Sequence, residues 1–321
     1  MKTMPRDRRS KPRSSGRRAV VLAALGAFVL VDVVLVGYAL TSDRGDSTGQ
    51  GVQAPATTSA PAATPTPTPT TPPTPVALTS PSVYLSAVDS STAYRAVAGA
   101  CPADQPATLE KTTDGGVTWV GSTVSTGLTS IARLQAVDST FAYVVGSGGA
   151  ECELGFTATY SSGLGFQTYP DRLLATWYLD RSQALPVHSP VGSFEAPCDD
   201  IVSLTPGSDA QAAALCSNGT VFQTQDGAAS WDSGVQVAGI QAVSTASDGG
   251  YLLAVSGSTP ECTGMSISTL STTGALDLAG CNSAEQSADG VALSQTDSSI
   301  WLQAGGQVSV SADGGTTWSR D

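Results

Sequence analysis

The segment Ser311-Ala312-Asp313-Gly314-Gly315-Thr316-Thr317-Trp318 recurs in this chain at long intervals. Asp114-Gly115-Gly116-Val117-Thr118-Trp119 is nearly identical, and Asp226-Gly227-Ala228-Ala229-Ser230-Trp231 is a weaker copy. A short motif that returns after tens of residues indicates a fold built by stacking one small unit. The copies therefore mark the repeating unit, and their spacing bears on the fold more than any single residue does.

Two degraded copies follow when the segments are aligned on their closing residue. Thr159-x-Ser161-x-Gly163-x-Gly165-Phe166 keeps the spacing and has lost the acid, and Thr269-x-Ser271-x-Thr273-x-Ala275-Leu276 is fainter. Decayed copies are typical of tolerated repeats, so at least five units are expected.

A second landmark lies upstream of the motif. Residues 85–94 match residues 134–143, and fainter echoes begin at Ile240 and Asp297. Short apolar, β-branched and aromatic runs between the landmarks are punctuated by Gly, Asn and Asp, which is typical of strands and turns. No window beyond the N-terminal segment shows a convincing helical period. The unit is therefore about four short strands in roughly 40 to 50 residues.

These features predict an all-β fold, a β-propeller of five to six four-stranded blades, with seven as the upper limit. The motif resembles the Asp-box, or BNR repeat, Ser-x-Asp-x-Gly-x-Thr-Trp, and the copy that ends at Trp318 matches every position. Sialidases, some endoglucanases, sortilin-type receptors and photosystem assembly propellers carry the same motif. The resemblance implies a structural hairpin remote from the active face.

The residue types of the motif explain a turn without invoking catalysis. The Asp side chain can accept hydrogen bonds from its own hairpin, Gly supplies a positive φ, and Trp packs into the blade. A turn-building role is therefore expected for Asp114, Gly116, Thr118, Trp119, Asp226, Trp231, Asp313, Gly315, Thr317 and Trp318.

The position of the last motif copy predicts how the ring closes. The sequence ends three residues after Trp318, whereas a further strand follows the copy at Trp119. We therefore expect residues 76–84 to pair with the last blade, which would remove an exposed sheet edge.

One long interval between motif copies indicates an insert. Trp119 and Phe166 are 47 residues apart, whereas Phe166 and Trp231 are 65 apart, and the extra residues lie around positions 171–197. They are interpreted as a long loop or as part of a sixth, abbreviated blade. Inserts between repeats commonly decorate a binding face. The candidate binding residues there are Trp177, Tyr178, Asp180, Arg181, His188 and Glu195. Trp177 and Tyr178 also fit a buried strand over residues 173–179.

The N-terminal part predicts a membrane anchor. Residues 1–18 hold eight of the fifteen basic residues, and residues 19–40 are nearly all apolar and long enough to cross a bilayer core of about 30 Å. The expected organisation is a cytoplasmic tail (1–18), a transmembrane helix (19–40), a disordered Ala/Thr/Pro-rich linker (41–77) and a propeller domain (78–321). Positive charge on the first side places the propeller outside the cell membrane, as a single-pass protein. A cleaved signal peptide is the alternative, although the apolar stretch is longer than such peptides usually have.

Charge and cysteine content narrow the classes of partner. The chain has a net charge of −12, and only six bases follow residue 75, so a nucleic-acid partner is disfavoured. An even number of cysteines outside the membrane indicates three disulfides, and their spacing suggests the pairs Cys101–Cys152, Cys198–Cys216 and Cys262–Cys281. No metal site and no cofactor are predicted, because His188 is the sole histidine and no nucleotide-binding glycine pattern occurs.

Two functions remain in view. The first is a membrane-anchored binding or scaffolding module for a protein or glycan. The second is a glycoside hydrolase of the sialidase or endoglucanase kind, which would need a carboxylate pair from among Glu151, Glu153, Glu195, Asp199 and Asp200. Nothing in the spacing of these acids singles out a pair, and the scarcity of arginines disfavours a sialidase.

Overall fold

The computed structural model describes residues 77–257, 262–283 and 290–320. They form a six-bladed β-propeller in which each blade is an antiparallel sheet built from consecutive strands. The predicted tail, the predicted transmembrane helix and nearly all of the predicted linker lie outside the described residues. Within the described ranges, no helix has the length and apolar character needed to cross a membrane.

The strands follow one another in chain order. Blades 1 and 2 contain β1 (Val83–Ala87), β2 (Ala93–Val97), β3 (Thr108–Thr112), β4 (Val120–Thr123), β5 (Leu128–Ala136), β6 (Ala142–Gly148), β7 (Glu153–Thr159) and β8 (Gln167–Thr168). Blade 3 contains β9 (Tyr178–Leu179), β10 (Val187–Ser189) and β11 (Gly192–Phe194), and it follows a short helix, α1 (Pro170–Leu173).

Blades 4 to 6 each have four strands. They contain β12 (Ile201–Pro206), β13 (Ala212–Cys216), β14 (Thr220–Thr224), β15 (Val235–Gln236), β16 (Ile240–Thr245), β17 (Tyr251–Ser256), β18 (Met265–Leu270), β19 (Leu276–Asn282), β20 (Ala292–Gln295), β21 (Ile300–Ala304), β22 (Gln307–Ser311) and β23 (Ser319–Arg320). Blade number thus falls within the predicted range, and the insert is the sixth, abbreviated blade.

The core lies between neighbouring blades. In blades 4 and 6 every residue of the second strand is buried, and the second strand of blade 4, β13, reads Ala-Ala-Ala-Leu-Cys. Small side chains there let the sheets approach closely. Between blades 5 and 6, Leu252 and Ile267 pack with Leu293 and Leu302. Packing of sheet on sheet around the ring therefore replaces a single central core.

Blade 3 lacks the strand that lines the axis in the other blades. Near the start of β2, Tyr94 donates its hydroxyl to a carbonyl in the first turn of blade 2, and Trp301 in β21 reaches the first turn of blade 1 in the same way. Trp177, just before β9, donates its indole N–H to the Ser208 carbonyl in the first turn of blade 4, at 2.8 Å. Since this contact belongs to a second strand, β9, β10 and β11 are strands two to four.

The ring does not close by the predicted strand exchange. The last blade takes its fourth strand, β23, from the C-terminal segment itself, and β1 belongs to blade 1. Leu78 instead donates its backbone N–H to the Ser217 carbonyl in blade 4. Side chains join blades 6 and 1: Ser294 accepts a hydrogen bond from the backbone N–H of Ala87, at 2.9 Å. The prediction for residues 76–84 was wrong because the short segment after the last Trp suffices to pair with β22.

Three disulfides lie at one end of the ring, where they join loops to each other or to the ends of strands. The bonds are Cys101–Cys152, Cys198–Cys216 and Cys262–Cys281, which confirms the predicted pairs. The first links the loop after β2 to the loop after β6 and so ties blade 1 to blade 2. Because antiparallel strands alternate in direction, these loops emerge opposite the turns after first and third strands. We call this end the disulfide face.

Five turns between third and fourth strands carry the repeated motif. They lie at the end of the ring opposite the disulfide face, and we call their end the motif face. The turns are 113–117, 160–165, 225–229, 271–275 and 312–316. The Thr112 hydroxyl accepts a hydrogen bond from the Gly116 N–H at 3.0 Å. Ser271 accepts the same bond from Ala275, also at 3.0 Å. The equivalent hydroxyls in the other three turns belong to Thr159, Thr224 and Ser311.

The fifth copy is therefore shifted from the predicted alignment. Ser271 stands at the position of Thr112, not at the position of Asp114, so the alignment on the closing residue was wrong by two residues. The hydroxyl is the element that all five turns share, whereas the carboxylate occurs in three of them.

Candidate functional site

An axial cavity of about 610 Å³ runs between the blades. First strands line it in five blades, and in blade 3 the wall is formed by residues 177–182, because the first strand is absent. A cavity of this size can take a small ligand or a loop of a partner. Its titratable lining residues are Tyr84, Arg133, Glu151, Tyr178, Asp180 and Arg181.

Three of the six insert residues chosen from the sequence are cavity residues with polar side chains. Arg181 donates to the Ile201 carbonyl and to the Ser80 hydroxyl, which holds its guanidinium at the mouth on the disulfide face. Asp180 accepts hydrogen bonds from the backbone N–H and the hydroxyl of Ser182 in the turn after β9. Tyr178 is half-buried, and burial raises the pKa of its hydroxyl, with the negative charge of Asp180 acting in the same direction.

Trp177 serves the fold as well as the cavity wall. Only 2% of its surface is exposed, and its indole packs in the core between blades 3 and 4. The alternative interpretation, a buried strand over residues 173–179, was wrong as a strand, because only Tyr178 and Leu179 form β9 and Leu174 is exposed, but Trp177 does pack in the core.

His188 is a structural residue of blade 3 and lies off the cavity lining. Its ring stacks on Tyr178 with centroids 4.4 Å apart. Nε2 lies 3.2 Å from the Leu174 carbonyl, and Nδ1 lies 3.0 Å from the Ser193 hydroxyl. A carbonyl can only accept, so Nε2 carries a proton and donates it to Leu174.

Glu195 stands apart from the other chosen residues. It is exposed in the connection between blades 3 and 4, and it does not line the cavity. The insert therefore divides into cavity residues and residues that support or flank blade 3.

Arg133 is the cavity residue that sequence reasoning missed. It lies in β5, and its Nη1 donates to the Thr176 hydroxyl at 2.8 Å and to the Trp177 carbonyl at 3.4 Å. Burial lowers the pKa of Arg133, and Tyr143 acts on this pKa in the opposite direction. The centroid of the Tyr143 ring lies 5.4 Å from the guanidinium carbon. One signal was available: Arg133 is among only six bases after residue 75, and it directly precedes the second landmark.

Tyr84 is the residue of blade 1 that is equivalent to Arg133. Both stand one position before the landmark leucine of a first strand, and both line the cavity. Burial raises the pKa of Tyr84 to about 12, although the nearby charge of Arg181 acts to lower it. The hydroxyl therefore stays protonated at neutral pH and can donate a hydrogen bond.

The motif carboxylates are engaged in their own turns on the other face. Asp114 accepts hydrogen bonds from the side chain and backbone of Thr118 and from the Thr112 hydroxyl, and these lower its pKa to about 2. In the same way the backbone and side chain of Thr317 and the Ser311 hydroxyl lower the pKa of Asp313 to about 2. The pKa of Asp226 is also lowered, chiefly by the Ser230 hydroxyl.

The indoles of the motif differ in their bonding. Trp119 and Trp318 donate to the carbonyls of Gly116 and Gly315 in their own turns. The indole N–H of Trp231 has no acceptor within the described part of the chain, in the turn where Ala228 replaces Gly. Within the described ranges, no group of three or more His, Cys, Asp or Glu side chains is placed to hold a metal ion.

Comparisons with known proteins give similarity to solved structures alone. No protein-family model and no curated protein matches the sequence. Among solved structures, YCF48 from Cyanidioschyzon merolae is similar at 19% identity, over 74% of this chain and 70% of that one, with a TM-score of 0.30. The GH74 enzyme of Niastella koreensis shares 15% identity over 74% of this chain and 38% of that one, with a TM-score of 0.32.

A further similar structure is the PQQ-bound aldose sugar dehydrogenase of Streptomyces coelicolor, at 10% identity, over 78% of this chain and 84% of that one, with a TM-score of 0.33. The strand topology makes the chain a six-bladed β-propeller, and these solved structures are distant structural neighbours.

Proposed function

We propose that this protein is a single-pass, membrane-anchored, extracytoplasmic β-propeller that binds or scaffolds a protein or glycan partner at the axial cavity and carries out no catalysis. One observation carries the proposal. The missing first strand of blade 3 leaves β9 on the cavity wall and brings Tyr178, Asp180 and Arg181 to it. We also infer that the motif turns are Asp-boxes, since their carboxylates and hydroxyls are used within the turns.

The anchor and the location outside the cell membrane rest on residues 1–40 and on the disulfides. Three disulfides fit an oxidising compartment. Protease added to intact cells should release the acidic propeller and leave the basic tail with the membrane. A soluble mature protein in the medium would contradict the anchor.

The binding face can be tested by site-specific photo-cross-linking in intact cells. Ser182 is exposed and lines the cavity mouth, whereas Leu164 lies on the motif face with 89% of its surface exposed. A cross-linking residue at position 182 should give a discrete adduct, and the same residue at position 164 should not. Adducts of equal yield at both positions would refute the assignment of the face.

The alternative function is a glycoside hydrolase, and two carboxylates on the cavity wall are the observation in its favour. Glu151 and Asp180 both line the cavity. Asp180, however, already accepts two hydrogen bonds from Ser182 in its turn. Hydrolysis of a defined glycan by the full-length protein, lost in both E151Q and D180N, would replace the binding proposal with this one.

A further inference from the structure

Arg133 is held in place by the gap in blade 3. Trp177 directly precedes β9, the strand left without a first-strand neighbour, and the Arg133 Nη1 donates to the Trp177 carbonyl. The same nitrogen donates to the Thr176 hydroxyl. The two contacts use the two protons of Nη1 and fix the plane of the guanidinium.

The other edge of this guanidinium is free. Neither Nε nor Nη2 of Arg133 has a hydrogen-bond acceptor within the described part of the chain, and the one ion pair there joins Arg95 to Glu110. Nε–H and Nη2–H together form the planar fork that binds a carboxylate through two parallel hydrogen bonds. A buried charge without a counter-ion is costly, so an anion at this fork would offset that cost.

The first strands of the other blades leave room in the cavity at the level of Arg133. Pairing with the second strands places Tyr84, Arg133, Ser203, Ala242 and Ala292 at equivalent positions of their blades. The last three are small or medium-sized and line the cavity. The extra residue Ala132, at a register shift just before Arg133, is the kind of bulge that re-aims a neighbouring side chain.

We propose that the axial cavity binds a carboxylate group, which the Nε–H and Nη2–H fork of Arg133 holds from one side. The Tyr84 hydroxyl supplies a further donor on the wall, and the Arg181 guanidinium attracts the anion at the mouth. Glu151 and Asp180 line the same cavity and repel a second negative charge, which favours a carboxylate over a phosphate dianion. The inference goes beyond the proposed function, because it holds whether or not a macromolecule docks at the mouth.

Calorimetric titration of the full-length protein in detergent micelles tests this site. The probes are benzoate, the neutral benzamide of the same shape, and inorganic phosphate. Benzoate should bind saturably, and benzamide should bind at least about tenfold more weakly, because it is neutral and cannot form charge-assisted hydrogen bonds with the fork. Phosphate should also bind at least about tenfold more weakly, because Glu151 and Asp180 repel its second charge.

Substitutions in and outside the cavity test whether the Arg133 fork binds benzoate. R133M should lower benzoate affinity about tenfold or more, and R133K, which keeps the charge without the fork, should bind with an intermediate affinity. R172Q removes an exposed arginine in α1 outside the cavity and should bind benzoate as the unmodified protein does. Y84F tests the site independently if R133M fails to fold, and it should weaken benzoate about threefold or more.

Three results would overturn the inference. Benzoate that binds no tighter than benzamide would show that the fork does not select an anion. A folded R133M, or Y84F in its place, with unchanged benzoate affinity would move any binding elsewhere. Phosphate that binds more tightly than benzoate, with the same dependence on Arg133, would replace the carboxylate by a phosphate.

Discussion

Replacing Trp301 by Phe tests whether side chains, rather than a shared strand, close the ring. Trp301 is fully buried, and its indole N–H donates to the Asp89 carbonyl in blade 1 at 2.9 Å. Within the described residues that carbonyl has no other donor, so W301F leaves this half-buried carbonyl without a donor at a cost of about 1 to 3 kcal/mol. Loss of indole surface adds about 1 kcal/mol. We expect W301F to lower the free energy of unfolding by about 2 to 4 kcal/mol.

Tyr94 offers the matched control. Its hydroxyl makes the equivalent contact with the Ser139 carbonyl, but Lys111 and Ser162 also donate to that oxygen. Y94F therefore leaves no unsatisfied carbonyl and should cost about 1 kcal/mol or less. Urea unfolding followed by tryptophan fluorescence, with circular dichroism for W301F, gives both values. A Y94F loss equal to that of W301F would refute the reasoning, because the two differ chiefly in the other donors to the acceptor.

Two further predictions concern loops and pH. Removing the Cys101–Cys152 disulfide, which spans 51 residues, should destabilise the protein by about 4 kcal/mol, and removing Cys198–Cys216, which spans 18, should cost about 3 kcal/mol. Denaturation of the two paired Cys→Ser variants measures both losses. Equal losses would contradict the argument that the longer loop gains more from the crosslink. Asp114 and Asp313 have pKa values lowered from 3.8 to about 2, so their contribution to stability is complete above about pH 4 and disappears as the pH falls toward 2. The D114N/D313N variant should therefore lose stability less steeply than the unmodified protein over that range. An unchanged slope would contradict the assignment of these two carboxylates.

The sequence predicted the fold correctly where the local chemistry of the residues and the repetition of the motif agree. The hydroxyl, the glycines and the closing aromatic of the motif predicted turns that the structure places between third and fourth strands. The spacing of cysteines predicted the three disulfides, since the two partners of each pair lie at the same end of the ring. Such features are local or periodic, so a single sequence displays them directly.

The sequence did not predict features that depend on contacts between residues far apart in the chain. The fifth motif copy was shifted by two residues, because its side chains are weak and its hydroxyl bond to Ala275 is visible only in the turn itself. Ring closure was wrong because nothing local shows how few residues β23 needs to pair with β22. Arg133 was missed because its importance arises from a strand that blade 3 lacks.

The missing strand connects the fold to the proposed site. A first strand in blade 3 would have paired with the edge of β9, the strand that directly follows Trp177 and its carbonyl. In its absence that carbonyl is bonded by the Arg133 side chain, which is thereby fixed with its other edge unpaired. The same absence leaves Tyr178 and Arg181 on the cavity wall. A repeat that loses one strand can therefore gain a binding site without any new loop, because the neighbouring blades already hold the ring together.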